Sequence, residues 1–132
     1  MMPFSVIALF PSVARPYGQA PRRDLAVGSL PQAGLLLACG GYDGQAYLPT
    51  VEALDPRTGA WQPRAPLPHP RQLLAVAAAP SGGPELLYAL GGFDGVAGSS
   101  VVEIYDPRMD RWRAGPALPQ PRLGLAAGSV AL

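Results

Sequence analysis

The sequence contains no lysine and no asparagine, and it has only one cysteine and one histidine among its 132 residues. Without lysine, neither a Schiff-base lysine nor the lysine of a phosphate-binding loop is possible. Without asparagine, no N-glycosylation acceptor exists. Because Cys39 is the only cysteine, no disulfide can form within the chain. We therefore expect a reducing compartment, the cytoplasm or also the nucleus.

Long apolar runs and clusters of like charge are missing as well. No run reaches the roughly 18 to 20 apolar residues that a membrane span requires. The arginines are scattered and the net charge is +1, so neither nucleic acid nor a membrane is an expected partner. Residues 1–20 match nothing later in the chain, and their short apolar patch is cut by Pro11. We predict that they are a disordered, non-repeat lead-in rather than a secretory signal.

What the sequence does contain is a repeat. Residues 40–61 and 91–112 share a double glycine, an Asp-Gly pair, a Val-Glu strand, an Asp-Pro-Arg turn and a tryptophan, displaced by 51 positions without a gap. Such self-similarity predicts a repeat architecture. We assign repeat 1 to residues 21–69, repeat 2 to 70–120, and the opening of a third repeat to 121–132. The recurring structural positions are Gly40, Gly41, Asp55 and Trp61 in repeat 1, and Gly91, Gly92, Asp106 and Trp112 in repeat 2.

Each full repeat predicts four antiparallel strands. A Pro-Arg pair opens the repeat, an apolar run leads into the double glycine, and the Asp-Pro turn reverses the chain before the tryptophan. We predict first strands at 25–28, 73–77 and 123–127, second strands at 35–39 and 86–90, third strands at 51–54 and 101–105, and fourth strands from each tryptophan to Pro63 and Gly115.

These features resemble the kelch repeat over residues 21–132. The kelch pattern has an Arg-led first strand, a second strand ending in Gly-Gly, a Val-Glu-x-Tyr-Asp third strand and a Trp-led fourth strand. The chain departs from it at Leu54, where Tyr105 supplies the usual tyrosine in repeat 2, and at Pro49. The resemblance implies an all-β fold, a kelch-type β-propeller fragment of about two four-stranded antiparallel blades plus the first strand of a third. Because propellers have 4 to 8 blades, we expect a piece of a longer protein.

Residues that could carry catalysis or bind metal are few, and each has a structural alternative. His69 lies between two prolines and has no evident nucleophile or fellow ligand nearby in sequence, so we favour an exposed loop histidine. Cys39 ends an apolar strand, which favours a small core residue over a nucleophile. Asp43 and Asp94 each precede a glycine, which favours a turn over a metal site. We predict no catalytic residue, no metal and no cofactor.

Glu52 and Glu103 are harder to assign, because a charge within a β-branched strand is costly to bury without a partner. We favour solvent or an arginine of the same repeat as that partner, with ligand binding as the alternative. The GGYDG and GGFDG segments lack the spacing and the following helix of a phosphate loop, so nucleotide binding is not expected.

The resemblance also implies where a partner would bind. In kelch proteins, partners commonly contact the loops after the double glycine and the loops that lead into the next blade. For the repeated arginines, a role in pinning the inter-blade loop is an equally good interpretation. Trp61, Trp112 and Tyr105 more readily fill blade interfaces. The matching candidate partner-binding residues here are Tyr42, Gln45, Tyr47, Phe93, Arg22, Arg71 and Arg122.

The resemblance therefore implies a non-enzymatic protein-interaction module, part of the substrate-recognition propeller of a cullin-type ubiquitin ligase adaptor. Cullin components would bind through a region absent from these residues. One alternative is part of a kelch-propeller enzyme, a copper oxidase or a sugar-processing enzyme, although one histidine and one cysteine are few ligands for copper. The other alternative is a cytoskeletal or scaffold-binding kelch protein, which the sequence does not distinguish from an adaptor.

Overall fold

The structure, a computed structural model, describes residues 21–79 and 83–130; the predicted lead-in at 1–20 lies outside these ranges. They contain eight β-strands and no helix, so no helix there could cross a membrane. The strands are β1 (Ala26–Leu30), β2 (Leu35–Cys39), β3 (Val51–Asp55), β4 (Ala60–Arg64), β5 (Ala75–Ala79), β6 (Leu86–Leu90), β7 (Val102–Asp106) and β8 (Arg111–Ala114).

The strands form two antiparallel sheets, each a simple meander. One sheet has the order β1-β2-β3-β4 and the other β5-β6-β7-β8. The registers are equivalent, since Leu54 opposes Trp61 in the first sheet and Tyr105 opposes Trp112 in the second. The predicted all-β fold with two four-stranded blades is thus confirmed.

Pro63 lies inside β4 rather than at its end, where we had predicted it. It opposes Glu52, at a position whose main chain points away from β3. A proline there removes no ladder bond, because β4 is an edge strand and an N–H at this position would face outward. The strand therefore continues to Arg64.

The predicted strand at 123–127 does not form: residues 123–130 have no strand. The segment begins as in the earlier blades, since Gly124 N–H donates to Leu73 C=O as Leu73 N–H donates to Asp24 C=O, both at 2.9 Å. All three residues have positive φ, from 55° to 62°. Beyond Gly124 the described residues offer no second strand of a third blade, so the ladder that would hold a first strand is missing.

The two blades pack through their first strands. Gly28 in β1 lies against β5 and β6, and a Cβ there would come within 2.8 Å of Val76 and 3.1 Å of Leu87. Leu30, Leu37 and Leu87 are fully buried in the shared core. The absence of a side chain at Gly28 thus sets how closely the blades approach.

Polar contacts complete the junction between the blades. Trp112 Nε1 donates to Ala65 C=O at 2.8 Å, and Asp110 Oδ1 accepts from Ala65 N–H at 2.9 Å and from Tyr105 Oη at 2.7 Å. Burial and the bond to Asp110 raise the pKa of Tyr105. Burial acts to raise the pKa of Asp110, but the bonds from Ala65 and Tyr105 outweigh it and lower that pKa.

A second contact between the blades was not expected from the sequence. The buried carboxylate of Glu85, just before β6, accepts from the N–H groups of Gln32 and Ala33 in the β1–β2 turn of the other blade, at 3.0 to 3.2 Å. Glu85 has no counterpart in repeat 1, where Gly34 stands 51 positions earlier. A contact made by only one repeat leaves no signal in a comparison of the repeats.

Candidate functional site

The double glycines place the loops after β2 and β6. A Cβ at Gly40 would lie 2.5 Å from Arg71 O, and one at Gly91 would lie 2.6 Å from Arg122 O. Each pair also has positive φ, for example 71° at Gly40 and 115° at Gly41. Glycine is required because the loop backbone passes directly against the Pro-Arg segments.

Each loop is then closed by its aspartate. Asp43 Oδ1 accepts from the N–H groups of Gln45 and Ala46 at 2.9 and 2.8 Å, and Asp94 forms the same pair of bonds in repeat 2. These main-chain bonds lower the pKa of both aspartates. The turn role is therefore the one observed, and the part of the chain that the structure describes contains no group of three or more His, Cys, Asp or Glu that could hold a metal.

Three of the predicted partner-binding residues lie together. The rings of Tyr42 and Tyr47 are 4.7 Å apart, and those of Tyr47 and Phe93 are 5.7 Å apart, edge to face. This aromatic cluster, Tyr42, Tyr47 and Phe93, joins the loops of both blades. All three side chains are half-buried, and Gln45 is exposed in the same loop.

Two further residues shape the cluster. The Arg23 guanidinium lies 5.2 Å from the centre of the Tyr42 ring. A Cβ at Gly95 would come within 2.7 Å of the Tyr47 ring, so this glycine makes room for Tyr47. Sequence reasoning selected Arg22 at the loop face and missed Arg23. The available signal was that Arg23 does not recur in the other repeats, as expected of a residue outside the blade framework.

Two of the three repeated arginines, Arg22 and Arg71, point inward instead. Arg22 Nη2 lies 2.9 Å from Glu52 Oε1, and its Nη1 donates to Gly40 C=O. Arg71 Nη1 lies 3.1 Å from Glu103 Oε1, and its Nη2 donates to Ala89 C=O at 3.2 Å. An arginine of the same repeat is thus the partner of each glutamate.

Arg71 does not lie on the surface where we had placed it. It is 1% exposed, and burial lowers the pKa of its guanidinium, an effect that the Glu103 carboxylate opposes. The contacts of Arg71 are those of the structural alternative. Arg122 is exposed, its main chain bonds to Ser99 and Gly92, and its guanidinium has no ion-pair partner among the described residues.

His69 and Cys39 occupy different environments. The His69 side chain is 64% exposed, in a loop as predicted, and its Nδ1 lies 2.5 Å from Glu103 Oε2. Glu103 thereby joins His69 to Arg71. Cys39 is fully buried, and burial raises the pKa of its thiol to about 12, a condition opposite to that of a reactive thiolate.

Comparison with known proteins identifies the repeat. The family model of the Kelch motif matches residues 26–68 and 78–119. The chain is 41% identical to Kelch-like protein 35 of Mus musculus over 81 residues, 60% of this chain and 13% of that protein. It is 35% identical to Kelch-like protein 33 of Homo sapiens over 95 residues, 70% of this chain and 17% of that protein.

A third relative is Kelch repeat and BTB domain-containing protein 12 of Homo sapiens, 32% identical over an alignment of 112 residues that covers 72% of this chain and 17% of that protein. The chain thus spans at most 17% of the length of these three relatives. None of their names denotes an enzyme. Since the two matched segments cover more than half of the residues, the chain belongs to the Kelch motif family.

Proposed function

We propose that this chain is a protein-binding module and that its partner contacts the aromatic cluster. The observation that carries the proposal is that Tyr42, Tyr47 and Phe93 gather at the loops of two blades with Arg23 beside them. Tyrosine, phenylalanine and arginine are enriched in protein interfaces, where tyrosine and arginine often dominate the binding energy.

The loops that present the cluster are held by many local bonds, which reduces the entropy lost on binding. Tyr42 N–H donates to Arg23 C=O at 2.9 Å, and Arg23 N–H donates to Tyr42 C=O at 3.0 Å. Phe93 and Gln72 form the equivalent pair at 2.8 and 3.1 Å. The cluster is thus a preformed surface.

The proposal extends to the protein that contains these repeats. We propose that the blades belong to a substrate-recognition propeller of a cullin-type ubiquitin ligase adaptor in the cytoplasm. The support is membership of the Kelch motif family and similarity to a relative named for a BTB domain. The buried, unpaired Cys39 suits a reducing compartment.

The binding proposal is tested by affinity capture and quantitative mass spectrometry with the wild-type chain, Tyr47→Ala and Met109→Ala. Met109 is 56% exposed in the β7–β8 turn, away from the cluster, and serves as the control. We expect Tyr47→Ala to reduce recovery of specific partners by about tenfold or more, as for an interface hot spot, and Met109→Ala to leave it unchanged. Equal recovery by both variants, with native melting curves, would contradict the proposal.

The adaptor role needs a separate experiment in cells that express the whole gene product. Proteins that require Tyr47 for capture should be ubiquitylated, and blocking cullin activation should abolish that modification. Ubiquitylation that persists after the block would reject the adaptor role while leaving the binding proposal intact.

A further inference from the structure

The outermost strand of the second blade has a free edge. Among the residues that the structure describes, β8 pairs only with β7, and Gly115 N–H donates to the directly opposed Val102 C=O at 2.8 Å. In an antiparallel ladder such bonded positions alternate with positions that face away. The N–H and C=O groups of Trp112 and Ala114 therefore point outward, away from β7, and are available to another strand.

The first blade does not have such an open outer edge. The residue of β4 that corresponds to Ala114 is Pro63, 51 positions earlier and in the same register. Proline has no N–H, so it blocks the outer edge of β4 to strand addition, a common protection of sheet edges. The two blades therefore differ at their outer edges although their sheets are equivalent.

The edge of β8 is also marked by charge. Arg111 and Arg113 are exposed and, two residues apart, project from the same face about 6.6 Å from each other. Neither forms an ion pair within the ranges that the structure describes. Asp106 opposes Arg111 across the ladder, but its carboxylate is bound by Arg108 Nη2 at 3.0 Å.

Arg111 and Arg113 occupy positions that remain exposed to solvent when a following blade packs against the sheet. The counterparts of Arg111 and Arg113 in the first blade are Ala60 and Gln62, and both are exposed although the second blade lies against the first. The two arginines are thus exposed because they lie on the outer strand, and not because a neighbouring blade is absent.

We propose that β8 binds an extended acidic segment of another protein, which adds as a fifth strand to the second blade. The segment would bond to the free main-chain groups of Trp112 and Ala114, while carboxylates at alternate positions pair with Arg111 and Arg113. Directly opposed side chains in such a pair lie about 5 Å apart, close enough for ion pairs. The same arginines repel the β8 of a second copy, so the edge selects an acidic strand over self-association. This surface is separate from the aromatic cluster.

The test uses the full chain and a fluorescein-labelled eight-residue peptide in which glutamate alternates with threonine. We expect saturable binding by anisotropy below about 1 mM, weakened by added salt. The control peptide carries lysine in place of glutamate and should not bind. Absence of saturable binding of the glutamate peptide, or equal binding of the lysine peptide, would overturn the proposal.

Two variants separate the main-chain and charge contributions. Ala114→Pro reproduces the edge of the first blade, keeps the β7–β8 bonds and should weaken binding at least about tenfold. Arg113→Gln, which reproduces Gln62, should weaken it about threefold to tenfold and flatten the salt dependence. Arg57→Gln, an exposed arginine of the first blade, is the control and should bind as the wild type does.

A native melting curve is required of each variant. Unchanged affinity in natively folded Ala114→Pro would overturn strand addition. If Ala114→Pro does not fold, the double variant Arg111→Gln with Arg113→Gln decides, and unchanged affinity there overturns the proposal.

Discussion

The adjacent arginines Arg22 and Arg23 show how single residues divide the work of this chain. Arg22 is directed inward to Glu52 and to the carbonyl oxygens at the end of β2, whereas Arg23 lies over the Tyr42 ring at the surface. The side chains are chemically identical. Their roles differ because an alternating backbone sends one toward the blade interior and the other outward.

Removal of Arg71 should be strongly destabilising. Arg71→Ala leaves the carboxylate of Glu103, which is 2% exposed, without its guanidinium partner. Breaking a buried pair in this way costs about 3 to 5 kcal/mol of unfolding free energy, measured by urea denaturation. The control Arg108→Ala removes an exposed arginine and should cost only a small fraction of that free energy. Equal effects of the two substitutions would contradict a structural role for Arg71.

At the scale of elements, each blade depends on a loop that passes through a narrow space. Three features recur together: the Asp-Gly turn, the double glycine and the Pro-Arg segment. The glycines leave space for the Pro-Arg backbone and donate hydrogen bonds to it. Gly41 N–H, for example, donates to Arg71 C=O at 2.9 Å, and Gly92 N–H donates to Arg122 C=O at 2.7 Å. The loop of one blade thereby holds the entry to the next.

Two glycines with similar φ allow the steric cost of an added Cβ to be distinguished from the cost of backbone strain. Gly92 has φ 110° and Gly44 has φ 101°, but a Cβ at Gly92 would lie 2.6 Å from Gln72 O, whereas one at Gly44 meets nothing within 4 Å. Gly44→Ala should cost about 1 to 2 kcal/mol from φ strain alone. We expect Gly92→Ala to cost clearly more in the same urea denaturation, and an equal loss would mean that the backbone approach is not limiting.

The turns should respond to acid. Main-chain bonds lower the pKa of Asp43 and Asp94, and side-chain bonds from Arg57 and Arg108 lower the pKa of Asp55 and Asp106, in each case below the ordinary aspartate value of 3.8. A carboxyl with a lowered folded-state pKa adds stability above its unfolded pKa, and that stability is lost as pH falls through the folded pKa. We therefore expect the melting temperature to fall as pH drops below about 4.

Carboxyl NMR titration checks this directly, with midpoints below 3.8 expected for the four aspartates. In the control Asp94→Asn, the amide oxygen can still accept the turn bonds but cannot titrate, so its share of the acid sensitivity should disappear. Midpoints at or above 3.8 would show that the turn bonds do not favour the charged form.

For the whole molecule, the decisive contacts are those between blades. Gly28 lets β1 approach β5 and β6, the Trp112 and Asp110 bonds reach Ala65, and Glu85 binds the β1–β2 turn. Each contact joins parts distant in sequence. A blade therefore gains stability from its neighbour as well as from its own ladder, as expected of repeat proteins.

Glu85→Ala should weaken the junction between the blades. The N–H groups of Gln32 and Ala33 would lose their acceptor, at a cost of about 1 to 3 kcal/mol of unfolding free energy. Hydrogen exchange should accelerate at these two amides while the amides of β7 stay protected. Glu85→Gln keeps one acceptor oxygen and should lose less. Unchanged exchange at Gln32 and Ala33 in Glu85→Ala would contradict the assignment.

Most of the fold could be predicted from the sequence because the same residue pattern occurs in two repeats, so that its strands and turns can be recognised by comparison. The second strand at 35–39, the turns at Asp55 and Asp106, and the arginine partners of the glutamates were all accessible from recurrence and periodicity. The strand at 123–127 was predicted wrongly, since recurrence indicates which residues favour a strand but not whether a partner is present. The surface position of Arg71 was misjudged because exposure depends on what packs over the loop.

By itself, the sequence determined the repeat with its four strands and turns, since these follow from residue type and spacing within one blade, and it excluded a disulfide within the chain because there is one cysteine. Only the tertiary structure decided which arginine faces inward, how Tyr42, Tyr47 and Phe93 meet across two blades, and which outer edge is open. Those outcomes depend on distances between residues that are far apart in the chain, and such distances are set by packing rather than by local pattern.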